Sequence, residues 1–244
     1  KKRQFFKPMS PLISKIPVIP AIGNHEMGSA NFRYYFDIPN NGATSKRSRW
    51  HYFDYQNVRF ITLDTSFFQR KKEQLRWLES VLNNVQTNQN IKLVILQFHH
   101  PYRSESWQKG ETDFIGEIEN KLVTFGQASQ KTIIYFNGHT HAYSRGHHLN
   151  APLTMITVGP IGGHLDKWKK SSKDYLEYHK TIPQFGWALI QVDNEEDSPK
   201  ITIKRFGHGD ETNLKDTGII DQFTINTASK PPGLPQIRKI EAIK

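Results

Sequence analysis

Hydrophobic side chains along this chain come as short continuous runs, as alternating aromatic pairs and as helical stripes, and each pattern predicts a different element. Residues 16–22 are an apolar run containing Pro17 and Pro20 that stops at Gly23, which predicts a buried strand delivering a loop at Asn24 and His25. Residues 27–49 are polar, contain Pro39 and Gly42, and read as loop with room for one helical turn. Residues 50–55 and 58–64 are aromatic and β-branched, and Gln56-Asn57 between them predicts a tight hairpin. Leu75, Leu78, Leu82 and Val85 fall at helical spacing, which predicts an amphipathic helix over residues 70–86.

The run 91–98 reads as a buried strand ending at His99-His100-Pro101, and Ile115, Ile118 and Leu122 mark a second helix. Residues 132–136 form another buried strand, ending at Asn137-Gly138-His139. Continuous apolar strands separated by helices argue for a sheet covered on both faces. The last third is strand-like at 153–158, 187–192, 201–206 and 219–225, without a helical stripe. This predicts antiparallel pairing against the first part, completing one layered sandwich. Residues 228–244, with Pro231, Pro232 and Pro235, read as a linker or tail after a single domain over 1–227.

Composition adds few constraints. At 36% hydrophobic and 12% aromatic, 244 residues bury an ordinary core. No apolar run approaches the roughly 18 residues of a membrane helix. Absence of cysteine excludes disulfides, thiolate ligands and a cysteine nucleophile. The net charge of +10 favours anionic partners, phosphate esters or nucleic acid, as readily as it serves general solubility. Lys167–Lys173, with Trp168 inside, offers charge and stacking to nucleic acid, although a solvated loop is the favoured reading. The first residues contain no initiator Met and no signal-like apolar core, so we expect the chain to begin inside a longer protein.

The chemistry lies in three loops, each after a predicted strand: Asn24-His25, His99-His100 and His139-Thr140-His141. Imidazole is the commonest metal ligand and an amide oxygen a harder companion. A single such pair is more often structural. The ordered set of three favours a metal site.

Gly23-Asn24-His25-Glu26, a strand ending in His99, then Gly138-His139-Thr140-His141 resembles the second half of the calcineurin-like metallophosphoesterase signature, and more closely its purple acid phosphatase branch. The run 53–64, the run 16–22 leading into Gly23, and His141-Ala142-Tyr143-Ser144-Arg145 are similar to that branch as well. The resemblance implies an α/β fold, a layered β-sandwich flanked by helices and incomplete at the N-terminus. It implies two metal ions, iron with zinc, manganese or a second iron. Asn24, His99 and His139 would bind the divalent ion and His141 the other. His25 would contact the substrate phosphate or leaving group, with Glu26 orienting its ring. The implied reaction is hydrolysis of phosphate monoesters by a hydroxide shared between the metals, in a secreted or periplasmic location.

The family's first two motifs, with the bridging aspartate, lie upstream of Gly23, and the 22 residues preceding it here contain no Asp or Glu. Neutral ligands alone compensate two cations poorly, so we expect the isolated chain to bind one metal weakly and the pair hardly at all. An N-terminal segment of the same protein is the expected partner. Plant-type members of the branch carry a His pair in the loop after the third motif, and residues 101–111 contain none. Arg103 is a candidate phosphate contact, weighed against the favoured reading of a solvated arginine. His100 divides evenly between structural and catalytic readings, while His147, His148 and His164 are unassigned. Two rivals stay open: a phosphodiesterase or nuclease of the same superfamily, and a non-catalytic module that binds phosphate or a partner.

Overall fold

The computed structural model describes residues 5–26, 31–42, 49–66, 70–107, 113–129, 131–170, 172–194 and 198–227. The expected tail, 228–244, lies outside them. Helix α1 (Lys7–Ile13) and helix α2 (Asn31–Tyr35) come first. The sandwich follows: β1 (His51–Tyr55), β2 (Val58–Thr62), α3 (Lys71–Thr87), β3 (Leu93–Gln97), α4 (Asp113–Ser129), β4 (Thr132–Asn137), β5 (Tyr143–His147) and β6 (Leu153–Thr157). It closes with β7 (Tyr178–Ile182), β8 (Gly186–Asp193), β9 (Lys200–Gly207) and β10 (Gly218–Asn226).

Seven strands form one sheet in the order β1-β2-β3-β4-β6-β5-β7, and β10-β9-β8 form a second. The strands β2, β3, β4 and β6 run parallel, with antiparallel pairs at both edges. Their apolar runs are continuous because alternate residues enter two different cores. Val94, Leu96, Ile133, Tyr135, Leu153 and Met155 pack with Leu78, Leu82 and Val85 of α3 and Ile115, Ile118 and Leu122 of α4. Leu93, Ile95, Ile134 and Ile156 pack instead against Ile201 and Ile203 of β9. Helices therefore cover one face and the three-stranded sheet covers the other, a layered α/β arrangement.

A polar clamp joins the two sheets. Asp221 on β10 is 6% exposed. It accepts hydrogen bonds from Tyr143 Oη (2.7 Å) and Arg145 Nε (2.7 Å) of β5, and from Lys180 Nζ (2.9 Å) of β7. Burial pushes its carboxyl up, but these donors outweigh that and hold its pKa at about 2.

The hairpin at Gln56-Asn57, both long helices and the strands at 93–97, 132–137, 153–157, 186–193, 200–207 and 218–226 follow the apolar pattern. Residues 16–22 do not form a strand. Pro17 and Pro20 remove two ladder donors, Val18 and Ile19 are more than a third exposed, and Gln97 Nε2 donates to the Ile19 carbonyl at 3.1 Å. The last third also departs from simple antiparallel pairing, since β6 joins β4 in parallel. Strands β5 and β7 escape a hydrophobic reading because their side chains are satisfied by polar partners, Ser144 with Thr181 and His147 with Thr154. Among the described residues no helix is long and apolar enough to cross a membrane.

Candidate metal centre

The parallel register determines which loops meet. Gln97 pairs with Phe136 across β3 and β4, so the chain leaves both strands at the same edge, two residues before His99 and three before His139. The Gly138 N–H donates to the His99 carbonyl at 3.0 Å and ties the two loops together. His139 adopts a left-handed backbone, φ 62°, a conformation that costs energy for a side-chain-bearing residue and clusters at functional sites. Its Nδ1 lies 3.2 Å from His99 Nε2.

Asn24 comes from the other side, on the single 3-10 turn Asn24–Glu26. Its Oδ1 is 2.7 Å from His99 Nε2. Gly23 makes that approach possible, because a Cβ there would stand 3.0 Å from His99 Cε1 and Nδ1. Glu26 serves the turn, its Oε2 accepting the Gly23 N–H at 3.2 Å.

These donors fit a metal ion. Ligand atoms bound at about 2.0–2.2 Å lie roughly 3 Å from one another, close to the separations from His99 Nε2 to His139 Nδ1 and to Asn24 Oδ1. The ligand atoms of His99, His100 and His139 all fall within 4.8 Å of each other. Burial, with the surrounding imidazoles His100, His139, His25 and His141, lowers the His99 pKa to about 3. Burial and His139 lower His100 to about 4. Both rings are therefore neutral, with a lone pair available, across the ordinary pH range.

Among the remaining candidates, His25 is exposed, on the same turn as Asn24. His141 is half-buried, its Nδ1 hydrogen-bonded to the His164 carbonyl. His100 belongs to the same cluster, and its backbone N–H and its Nδ1 are each 3.0 Å from Thr65 Oγ1. Its ring centroid is 4.4 Å from that of His139.

The sequence of residues 2–143 matches the Calcineurin-like phosphoesterase family. The chain belongs to that family. It is 31% identical over 147 residues to Purple acid phosphatase 15 of Arabidopsis thaliana, covering 56% of this chain and 26% of the relative. It is 25% identical over 251 residues to a Nucleotide pyrophosphatase/phosphodiesterase of Hordeum vulgare, covering 91% and 66%. The fold matches purple acid phosphatase PPD1 from yellow lupin (Lupinus luteus) seeds with a TM-score of 0.67 at 19% identity, over 98% of this chain and 47% of that one. The chain thus spans between about a quarter and two thirds of the curated relatives named here.

Several residues around this candidate site were not legible as site residues in the sequence. Trp107 sets its ring edge-on to His139, centroids 4.7 Å apart. Asp166 accepts the His141 N–H at 2.9 Å. Only the fold brings residues 107 and 166 to residues 139 and 141. Arg103 is not the solvated arginine that the sequence favoured, since its guanidinium is ion-paired and only 20% exposed. Its Nη1 is 2.8 Å from Glu119 Oε1 and 3.5 Å from Glu177 Oε1, and Glu119 is 4% exposed. Glu119 also accepts from Tyr135 Oη at 2.9 Å, so Arg103 completes a buried network on α4. His147, unassigned in the sequence, lies on β5, where Thr154 Oγ1 is 2.9 Å from its Nδ1.

Proposed function

We propose that this chain carries one side of the active site of a purple acid phosphatase-like hydrolase acting on phosphate monoesters. The convergence of Asn24 Oδ1, His99 Nε2 and His139 Nδ1 carries the reading. These three would hold a divalent ion and His141 would belong to a second, iron paired with zinc, manganese or iron being the set the branch implies. Bound metals would supply Lewis-acid polarisation of the phosphoryl group and lower the pKa of a water.

The protein's own part follows from the placement of its side chains. His25, exposed beside the cluster, would hold a phosphoryl oxygen and give its proton to the departing alkoxide. The left-handed backbone of His139 and the Gly23 turn pre-set two ligands, so little reorganisation accompanies binding. Trp107 and His100 pack against His139 and keep its ring from rotating. Residues 1–227 would form the catalytic domain, with 228–244 a linker or tail.

One observation keeps a second reading in view. The barley relative named for nucleotide pyrophosphatase/phosphodiesterase activity aligns over 91% of this chain. Assaying the full-length protein on p-nitrophenyl phosphate and bis(p-nitrophenyl) phosphate separates the two. The reading predicts faster monoester turnover, reduced by about 10²–10⁴-fold in His25→Ala. Preference for the diester would select the second reading. Equal activity in His25→Ala would contradict the role of that histidine, and no hydrolysis of either ester would favour a binding module.

A further inference from the structure

The connection between β9 and β10, residues 208–217, contributes no ligand candidate, yet it is tied to the loop that grips His141. Glu211 Oε1 accepts the Leu165 N–H at 2.7 Å and lies 3.3 Å from His164 Nδ1, while Oε2 is 3.9 Å from Lys167 Nζ. Glu211 is itself held in a turn, since Asp210 Oδ1 accepts from the Thr212 N–H, the Thr212 hydroxyl and the Asn213 N–H.

The loop so held grips His141 at three points. Asp166 Oδ2 accepts the His141 N–H at 2.9 Å, and the Asp166 N–H donates back to the His141 carbonyl at 3.0 Å. The third contact runs from His141 Nδ1 to the His164 carbonyl oxygen. A carbonyl only accepts, so in the neutral imidazole this bond places the proton on Nδ1 and leaves the lone pair on Nε2. Gly163 turns the loop over the His141 ring with φ 99°, a conformation that L side chains rarely adopt.

We propose that Glu211 and Asp166 are positioning residues, a latch from the second sheet that fixes His141 in the Nδ1–H tautomer and so prepares Nε2 as a metal ligand. The ligand half of this statement rests on the reading of His141 given above. An unconstrained imidazole shares its proton between both nitrogens, and a ring in the wrong tautomer presents N–H where a lone pair is needed. In this account the three-stranded sheet provides more than a cover for the core. It sets the protonation pattern of one ligand through two loops.

The test uses the full-length, metal-free protein labelled with ¹⁵N in histidine side chains, with the His141 signals assigned by His141→Asn. Long-range ¹H–¹⁵N spectra at pH 7.5 should show a protonated Nδ1 and an unprotonated Nε2. Glu211→Ala and Asp166→Ala should each move both nitrogens toward the intermediate shifts of exchanging tautomers. Glu211→Gln, whose amide oxygen still accepts from Leu165, should retain the wild-type pattern. A protonated Nε2 in the wild type, or an unchanged pattern in both alanine variants, would overturn the latch. Adding Zn²⁺ examines the ligand reading separately: it should shift His141 Nε2 in the wild type, and bind there 10–100-fold more weakly in Glu211→Ala. An Nε2 signal unmoved by Zn²⁺ would overturn His141 as a ligand, whereas the latch is decided by the metal-free spectra.

Discussion

His99 Nε2 and His139 Nδ1 lie 3.2 Å apart although 40 residues separate them, because parallel strands β3 and β4 end in register at one edge of the sheet. Asn24, 75 residues from His99 in sequence, completes the set through a turn that depends on a glycine. The arrangement makes Gly23 a sensitive position beside the ligand candidates. In Gly23→Ala the new methyl would meet His99 at 3.0 Å and Glu26 Oε2 at 3.2 Å. Displacing His99 should weaken metal binding by about 10–100-fold. Unfolding free energy should fall by only about 1–3 kcal/mol. Calorimetric titration with Zn²⁺ beside a denaturant melt checks both expectations.

Arg103 offers a test in the opposite sense. Its guanidinium is committed to Glu119 and Glu177, so Arg103→Ala should leave KM for a phosphate ester unchanged. It should cost about 3 kcal/mol of stability, because Glu119 is left buried without its cation. A raised KM with unaltered stability would restore Arg103 as a phosphate contact.

The clamp on Asp221 makes a prediction about stability and acid. Asp221→Ala removes the acceptor of Tyr143, Arg145 and Lys180 together and should destabilise the fold by about 3 kcal/mol. With a folded pKa of about 2, below the usual carboxylate value, the wild-type contribution is fully present above the unfolded pKa. It is lost as pH falls through the folded value. Urea melts of wild type and Asp221→Ala at pH 7 and pH 2.5 should show a gap that narrows with acid.

Two histidines outside the centre give an acid dependence at higher pH. Burial lowers His51 to about 4. Burial, with His179 and Arg145, lowers His147 to about 4. Between pH 6.5 and pH 4 the unfolded chain binds protons that these folded residues refuse, so stability falls as pH drops through that window and is level above it. Thermal melts from pH 8 to pH 4.5 measure this, and His147→Gln should flatten part of the slope.

Much of this architecture was readable from periodicity, and the exceptions have physical causes. The runs at 93–97 and 132–137 were legible because both faces are buried, leaving no polar alternation to confuse them. Residues 143–147 and 178–182 were not, since their hydroxyl, imidazole and guanidinium groups find partners on neighbouring strands and so look like loop chemistry. The prolines that spoil 16–22 as a strand were visible, but the apolar run outweighed them. Asn24, His99 and His139 were legible as candidates because each follows an apolar run. The latch at Asp166 and Glu211 was not, because those carboxylates act through loop backbone brought together only by the second sheet.

The central claim is that Asn24, His99 and His139 form one metal site. The most direct measurement is the number of Zn²⁺ or Mn²⁺ ions bound per 244-residue chain after dialysis, by elemental analysis, in the wild type, Asn24→Ala and His139→Ala. The account predicts one weakly held ion in the wild type and none retained in either variant. An ion retained undiminished in both variants, or two tightly held ions in the wild type, would contradict it.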